Sequence, residues 1–178
     1  MNPMMKRYLP IAGLLFSVLL PVQCAKATEN NLQFSGNLVS EPCKPDPLTN
    51  DLTVYFGSVI EKSLYLDTRT SDETFTINLT ECDTSISRSV VMTFKGLESD
   101  ALPGDLAVTG VTGIAIGLKN PDGTPLPINQ PAPQLALSDG ANSFTFKAYV
   151  TGEPTAIQEQ SITPGDFTAT ATFEMAYP

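Results

Sequence analysis

The side chains with the most distinctive chemistry in this sequence are its three cysteines, at positions 24, 43 and 82. Cys24 precedes a predicted cleavage site for export, so Cys43 and Cys82 would be the cysteines of the mature chain. Two cysteines in an exported protein allow a single intramolecular disulfide, which we expect here. It would close a loop of about 40 residues, for which the loop-entropy treatment gives roughly 4 kcal/mol. Because neither cysteine has a CxxC neighbour or a nearby histidine, a redox couple or a metal pair is disfavoured.

The chain contains no histidine. This removes the commonest general base, the usual activator of serine and cysteine nucleophiles, and the commonest zinc ligand. Its carboxylates are scattered, and the closest groupings are Asp72 with Glu73 and Asp46 with Asp51. No glycine-rich phosphate loop follows a strand and opens a helix. The sequence therefore predicts a protein that is not an enzyme, with no catalytic residues, no metal site, no cofactor and no small-molecule substrate.

The N-terminal residues have the features of a secretory signal peptide. Two basic residues precede an apolar run from Tyr8 to Leu20, and Ala25-Lys26-Ala27 fits an A-x-A cleavage site. An apolar run of about 13 residues is shorter than the roughly 20 that a bilayer-spanning helix needs. We therefore expect residues 1–27 to be removed during export.

The remaining residues, 28–178, suit a single domain with one hydrophobic core. They carry seven basic and nineteen acidic residues, which gives a formal charge of −12. Because nucleic acid is itself strongly negative, we expect no nucleic-acid partner.

Most of the mature sequence has the two-residue periodicity of β-strands, and no segment has a convincing helical pattern. Turn-forming residues separate the strands, among them Ser71-Asp72 and Asp139-Gly140. Five prolines between Asn120 and Pro133 predict a loop or an edge there. Short strands at this spacing predict an all-β antiparallel sandwich. The predicted strands are residues 32–38, 54–59, 64–66, 75–79, 89–94, 113–118, 143–150 and 167–177.

The last predicted strand has the clearest pattern in the chain. Aromatic residues, alanines and a methionine alternate with threonines and Glu174, so one face is apolar and the other polar. A long apolar strand of this kind either lies inside a sheet or awaits a strand from another molecule, since an exposed edge invites aggregation. Its apolar face comprises Phe167, Ala169, Ala171, Phe173, Met175 and Tyr177.

Several sequence blocks occur in an order that is typical of one family. The first is Phe34-Ser35-Gly36-Asn37-Leu38 followed by Cys43, and the next two are Val54-x-Phe56-Gly57-x-Val59 and Phe75-x-Ile77-x-Leu79-x-x-Cys82. Near the C-terminus, Gly165 is fourteenth from the end, counting the last residue, and Tyr177 is penultimate. Over essentially the whole mature chain, the sequence therefore resembles the pilins, the subunits of Gram-negative chaperone-usher pili.

The resemblance implies an all-β fold: an incomplete immunoglobulin-like antiparallel β-sandwich that lacks its final strand, formed here by residues 39–178. It implies a structural subunit of a surface pilus that contributes to cell adhesion and is exported through the periplasm to the cell surface. Its partners would be a periplasmic pilus chaperone, an outer-membrane usher and neighbouring pilin subunits. In such subunits the final strand borders a groove that another polypeptide fills with a strand of its own. The groove residues would be Gly165, Phe167, Ala169, Ala171, Phe173, Met175 and Tyr177.

The N-terminal extension that would fill the groove of a neighbouring subunit is predicted at residues 28–38. Gly36 matches the family's glycine, which fits where a larger side chain would not. The extension is short compared with that of many shaft subunits, which favours a minor or adaptor subunit over the major one. The donor face would be formed by Asn30, Leu32, Phe34, Gly36 and Leu38.

Two alternatives stay open at this point. Residues 32–38 could be an ordinary first strand of their own domain. The protein could then be a free-standing secreted β-sandwich binding module rather than a subunit that polymerises.

Overall fold

The computed structural model describes Ser35, residues 40–47 and residues 52–178. The predicted signal peptide and the five predicted donor residues Asn30, Leu32, Phe34, Gly36 and Leu38 lie outside the described residues. The described strands are β1 (Lys44–Pro45), β2 (Glu73–Cys82), β3 (Ser89–Gly96), β4 (Leu106–Ala107), β5 (Ile114–Lys119), β6 (Leu135–Ala136), β7 (Gly140–Gly152) and β8 (Ala171–Ala176), and the described helices are α1 (Glu61–Asp67) and α2 (Pro154–Glu159).

The strands form two antiparallel sheets, as the sequence predicted. One sheet has five strands in the order β1-β2-β7-β5-β4, and the other has three in the order β6-β3-β8. The strands β2, β3, β5 and β7 contain or overlap the predicted strands 75–79, 89–94, 113–118 and 143–150. The longest pairing joins β2 to β7, with Phe75 opposite Phe146 and Ile77 opposite Phe144.

The main core lies between the two sheets. Ile77 and Phe146 from the five-stranded sheet and Met92 from the three-stranded sheet are each at most 1% exposed. The ring of Phe94 meets that of Phe146 edge-on at 5.1 Å between centroids, so an aromatic pair joins the sheets at this level. Such pairs add roughly 0.5–1.5 kcal/mol beyond the burial of their area.

The proline-rich segment between β5 and β6 is a loop, as predicted, but it also supplies part of the core. Leu126 and Ile128 are 2% and 1% exposed. Their backbone N–H groups donate to the carbonyl oxygens of Leu118 and Gly104, each at 2.9 Å. The loop is therefore fixed to the sandwich by its apolar side chains and by main-chain hydrogen bonds.

The prediction of a strand at residues 64–66 was wrong, because this segment belongs to α1. Leu64 is 1% exposed, whereas Leu66 is 83% exposed. Residues two apart share a face in a strand but lie on nearly opposite sides of a helix, so only a helix accounts for this difference. The second helix, α2, was also missed; it begins with Pro154, a residue favoured in the first turn of a helix.

Two further strand predictions need correction. Residues 54–59 belong to no strand, although Val54 and Phe56 pack against the core and Tyr55 between them is 81% exposed. Inward-packed and exposed side chains thus alternate in this segment as they would in a strand, but no described strand pairs with it. The last strand begins at Ala171 rather than Phe167, because the backbone pairing of residues 167–170 is limited to a single bridge between Thr168 and Thr109.

The predicted disulfide between Cys43 and Cys82 is present, and both residues are buried. It joins the residue before β1 to the end of β2, where Lys44 pairs with Thr80. The bond therefore fixes the start of the domain to an internal strand of the five-stranded sheet.

We predict that replacing both Cys43 and Cys82 with alanine sharply lowers the amount of folded protein. The bond closes a loop with a sequence separation of 39, and its loss should cost roughly 4 kcal/mol, a large part of the stability of an ordinary domain. The measurement is the protease-resistant fraction recovered after export. Cys24→Ala is the matched control and should leave that fraction unchanged. An unchanged fraction for the double variant would contradict the structural role.

Candidate functional site

The last strand, β8, lies at an edge of the three-stranded sheet. Its six residues all pair with β3, and the pairs include Phe173 with Phe94 and Met175 with Met92. No strand of the described residues pairs with the other side of β8. That side therefore offers a row of main-chain N–H and C=O groups to a further strand.

The apolar face of β8 is less well covered than that of its neighbour. On β3, Met92 and Phe94 are 0% and 4% exposed. On the same face of β8 and in the residue that follows it, Phe173, Met175 and Tyr177 are only half-buried. Partial burial and the negative charge of Glu41 both raise the pKa of Tyr177. The core thus lacks cover at the outer side of this strand.

A groove of about 440 Å³ opens at this place. One rim is the segment 52–56, and the other is the segment 167–171 with Phe173. The groove floor belongs to the main core, and both sheets contribute to it: Phe75, Ile77, Phe94, Leu106, Ile116, Leu118 and Ala148. A strand placed here would cover side chains of both sheets at once.

The rim at residues 52–56 has an inner and an outer side. Val54 and Phe56 pack inward, and the ring of Phe56 lies 6.2 Å from that of Phe167 on the opposite rim. The two rims therefore touch at this point, while the groove remains open beyond it. Sequence reasoning found the alternating pattern here but assigned it to an ordinary strand.

The other rim is held in place where it meets the turn at residues 109–113. Thr109 and Thr168 exchange two backbone hydrogen bonds, of 2.8 and 3.1 Å. Their hydroxyl oxygens are also 3.0 Å apart. The turn can lie this close to the rim because Gly110 has no side chain. A Cβ at position 110 would lie 2.2 Å from the carbonyl oxygen of Asp166. The segment that leads into β8 is thus fixed before the strand begins.

The structure brings most of the predicted groove residues together. Phe167, Ala169, Phe173, Met175 and Tyr177 form a partly buried row against the main core. Ala171 is exposed at the first position of β8 and borders the groove. Gly165 is also exposed and lies beside Val111, before the groove begins.

Asp72, one of the carboxylates considered for catalysis, has structural contacts. Asp72 accepts hydrogen bonds from Lys119 at 2.9 Å and Arg69 at 2.8 Å. The bond from Lys119 is the main reason that the pKa of Asp72 is lowered, with burial opposing it and Arg69 adding to it. Arg69 and Lys119 also lie over the ring of Tyr149, at 4.8 and 5.2 Å from its centroid. These contacts tie the segment that precedes β2 to β5 and β7.

The part of the chain that the structure describes has no group of three or more metal-ligating side chains that could hold an ion. Neither of the two helices described above is long and apolar enough to cross a bilayer.

Both the sequence and the fold of this chain are similar to those of known proteins. Residues 32–178 match the family of fimbrial proteins. The fimbrial adapter PapK of Escherichia coli is 34% identical, over 93% of this chain and 96% of PapK. The Fimbria A protein of Serratia marcescens is 31% identical, over 92% and 93% of the two chains. The crystal structure of the P pilus rod subunit PapA has a similar fold, with a TM-score of 0.70 at 22% identity over 78% of this chain and 100% of that chain.

We predict that Gly110→Ala destabilises the protein more than Gly123→Ala does. Both glycines have positive φ, of 98° and 88°, so both substitutions carry backbone strain of about 1–3 kcal/mol. Only at Gly110 would the new methyl group also overlap Asp166, since nothing lies within 4 Å of a Cβ at Gly123. The thermal unfolding midpoint of each variant measures the difference. Equal midpoints would contradict the tight contact between the turn and the rim.

Proposed function

The chain belongs to the fimbrial protein family and is a structural subunit of a pilus, and we propose that its groove is the site where a strand from another polypeptide completes the sandwich. The half-buried face of β8 carries this proposal. Strand addition would supply main-chain hydrogen-bond partners for the open edge of β8 and side chains that cover its apolar face.

The groove residues support an extended occupant with apolar side chains at every second position. One rim includes Ala171 and Phe173 of β8, and the side chains of the floor are apolar. A strand lying there would point alternate side chains at the floor, because successive residues of a strand face opposite sides. Main-chain hydrogen bonds would then supply much of the binding, and the inward side chains would supply specificity.

The energy of such an addition would be large for this domain. Four or five apolar side chains buried at about 1.5–3 kcal/mol each give a gross gain on the order of 10 kcal/mol before the cost of ordering. This is comparable with the whole stability of a typical domain. The fold of the subunit should therefore depend on whether the groove is filled.

The partners proposed for this chain follow from its family and from its groove. A periplasmic chaperone would fill the groove first, and the outer-membrane usher would receive the resulting complex. A neighbouring subunit would then replace the chaperone strand as the pilus grows towards the cell surface. The role proposed is structural rather than enzymatic, in line with a sequence that has no histidine.

The donor segment is proposed at residues 28–38, between a cleaved signal peptide at residues 1–27 and a pilin domain at residues 39–178. The proposal is supported by the alternation of Leu32, Phe34 and Leu38 with polar residues and by the small Gly36. A place as an adaptor or minor subunit is also proposed, since PapK is named an adapter and the predicted extension is short. The half-buried face of β8 disfavours the alternative of a free-standing binding module.

We predict that Phe173→Asp abolishes chaperone binding and periplasmic accumulation. The new carboxylate would lie on the apolar face that the added strand has to cover, where an unpaired charge is strongly disfavoured. Thr172→Asp is the matched control, because Thr172 is exposed on the other face of the same strand. The measurement is the yield of subunit that co-purifies with the chaperone. Wild-type yield for Phe173→Asp would contradict the groove assignment, and Tyr177→Asp should behave as Phe173→Asp does.

A separate prediction concerns the donor segment. We expect Gly36→Asn to leave the complex with the chaperone intact but to block polymerisation, because the larger side chain would not enter the groove of the next subunit. Asn37→Gln, one residue along on the opposite face of the predicted strand, is the control. Fibre length in electron micrographs is the measurement, and fibres of normal length from Gly36→Asn would count against the donor assignment.

A further inference from the structure

Ser87 makes a long-range contact with the residue that follows Tyr177. Its side chain is buried, with 8% of the residue exposed. The hydroxyl group lies 3.2 Å from the carbonyl oxygen of Pro178 and 3.0 Å from that of Ser89, so its one proton is shared between them. The N–H of Ser89 points back at the same hydroxyl oxygen, at 3.4 Å.

This contact occurs where the pairing between β3 and β8 stops. The last pair of that ladder is Val91 with Ala176. Pro178 has no N–H group, so it cannot donate a ladder hydrogen bond of its own. Its backbone oxygen accepts a hydrogen bond from the Ser87 hydroxyl, which lies in the segment that precedes β3.

The donor is itself held firmly. Leu137 donates its N–H to the carbonyl oxygen of Arg88 at 2.9 Å. Ser89 then pairs with Ala136 of β6. The backbone that follows Ser87 is therefore fixed to β6, which lies at the opposite edge of the three-stranded sheet from β8.

We infer that Ser87 is a positioning residue for strand addition: it holds residues 177–178 in line with β3 and so sets the length of the edge that β8 offers to an incoming strand. The inference rests on the proposed function. Tyr177 is the last residue of the half-buried apolar face. If residues 177–178 separated from β3, the incoming strand would lose this side chain and the main-chain groups beside it.

The test uses the complex of the full subunit with its chaperone. Three variants are compared with the wild type. Ser87→Ala removes the hydroxyl. Ser87→Thr and Ser87→Val have side chains of equal shape, but only Ser87→Thr keeps the hydroxyl. Ser85→Ala is the control, since the Ser85 hydroxyl donates only to Asp83 in the same turn. Two quantities are measured, namely amide hydrogen exchange along the subunit and the rate at which the chaperone dissociates.

We expect Ser87→Ala and Ser87→Val to raise exchange at Tyr177 and Ala176 about fivefold or more, the effect of losing one ordinary hydrogen bond. Amides of β2 and β7 should keep their wild-type rates, and Ser87→Thr should resemble the wild type. Chaperone dissociation should accelerate by a similar factor. If Ser87→Ala fails to give a complex, the comparison of Ser87→Thr with Ser87→Val decides the question.

A uniform rise in exchange over all strands would overturn the inference, because it would mark a general packing role. Equal behaviour of Ser87→Thr and Ser87→Val would overturn it as well, since the hydroxyl would then be irrelevant. These results are distinguishable from failure of the proposed function, in which Phe173→Asp would bind the chaperone as well as the wild type does.

Discussion

The open edge of β8 is the constraint on which the rest of this structure depends. An edge strand has main-chain groups without partners and is a place where proteins associate, so natural sheets usually protect their edges. The other three edges described here are β1, β4 and β6, and each is only two residues long. β8 has six residues and a half-buried apolar face. Three short edges and one long open edge agree with the proposal that an added strand covers β8.

The two rims of an open groove must also be kept from collapsing onto each other when no strand is bound. The two rims touch through Phe56 and Phe167, and other contacts hold the segments that flank the groove. The turn at residues 109–113 holds one rim through Thr109 and Thr168, and the disulfide fixes the chain shortly before the other rim begins. Because these hydrogen bonds and the disulfide do not cross the groove, a strand can enter the groove without breaking them.

Local patterns predicted the parts of this fold that local physics determines. The period-two alternation gave the strands β2, β3 and β7, and the redox setting gave the pairing of the cysteines. The same alternation was misleading at residues 54–59, where an extended segment packs against the core without a described ladder, and at residues 64–66, where a short apolar run is equally compatible with a helix. The contact between Ser87 and Pro178 joins residues 91 apart, and no local pattern could have indicated it.

The proposed strand addition would couple folding to assembly. The side chains that complete the core would then belong to another polypeptide, so the free energy that they contribute would be available only when that polypeptide is bound. A partner that binds weakly would leave the groove partly empty and the subunit marginally stable. A partner that covers both the edge of β8 and its apolar face would stabilise the subunit by an amount comparable with a whole domain. The same interaction therefore determines whether the subunit is folded and whether it is joined to its neighbour, and a subunit without a partner should be the species that the cell degrades.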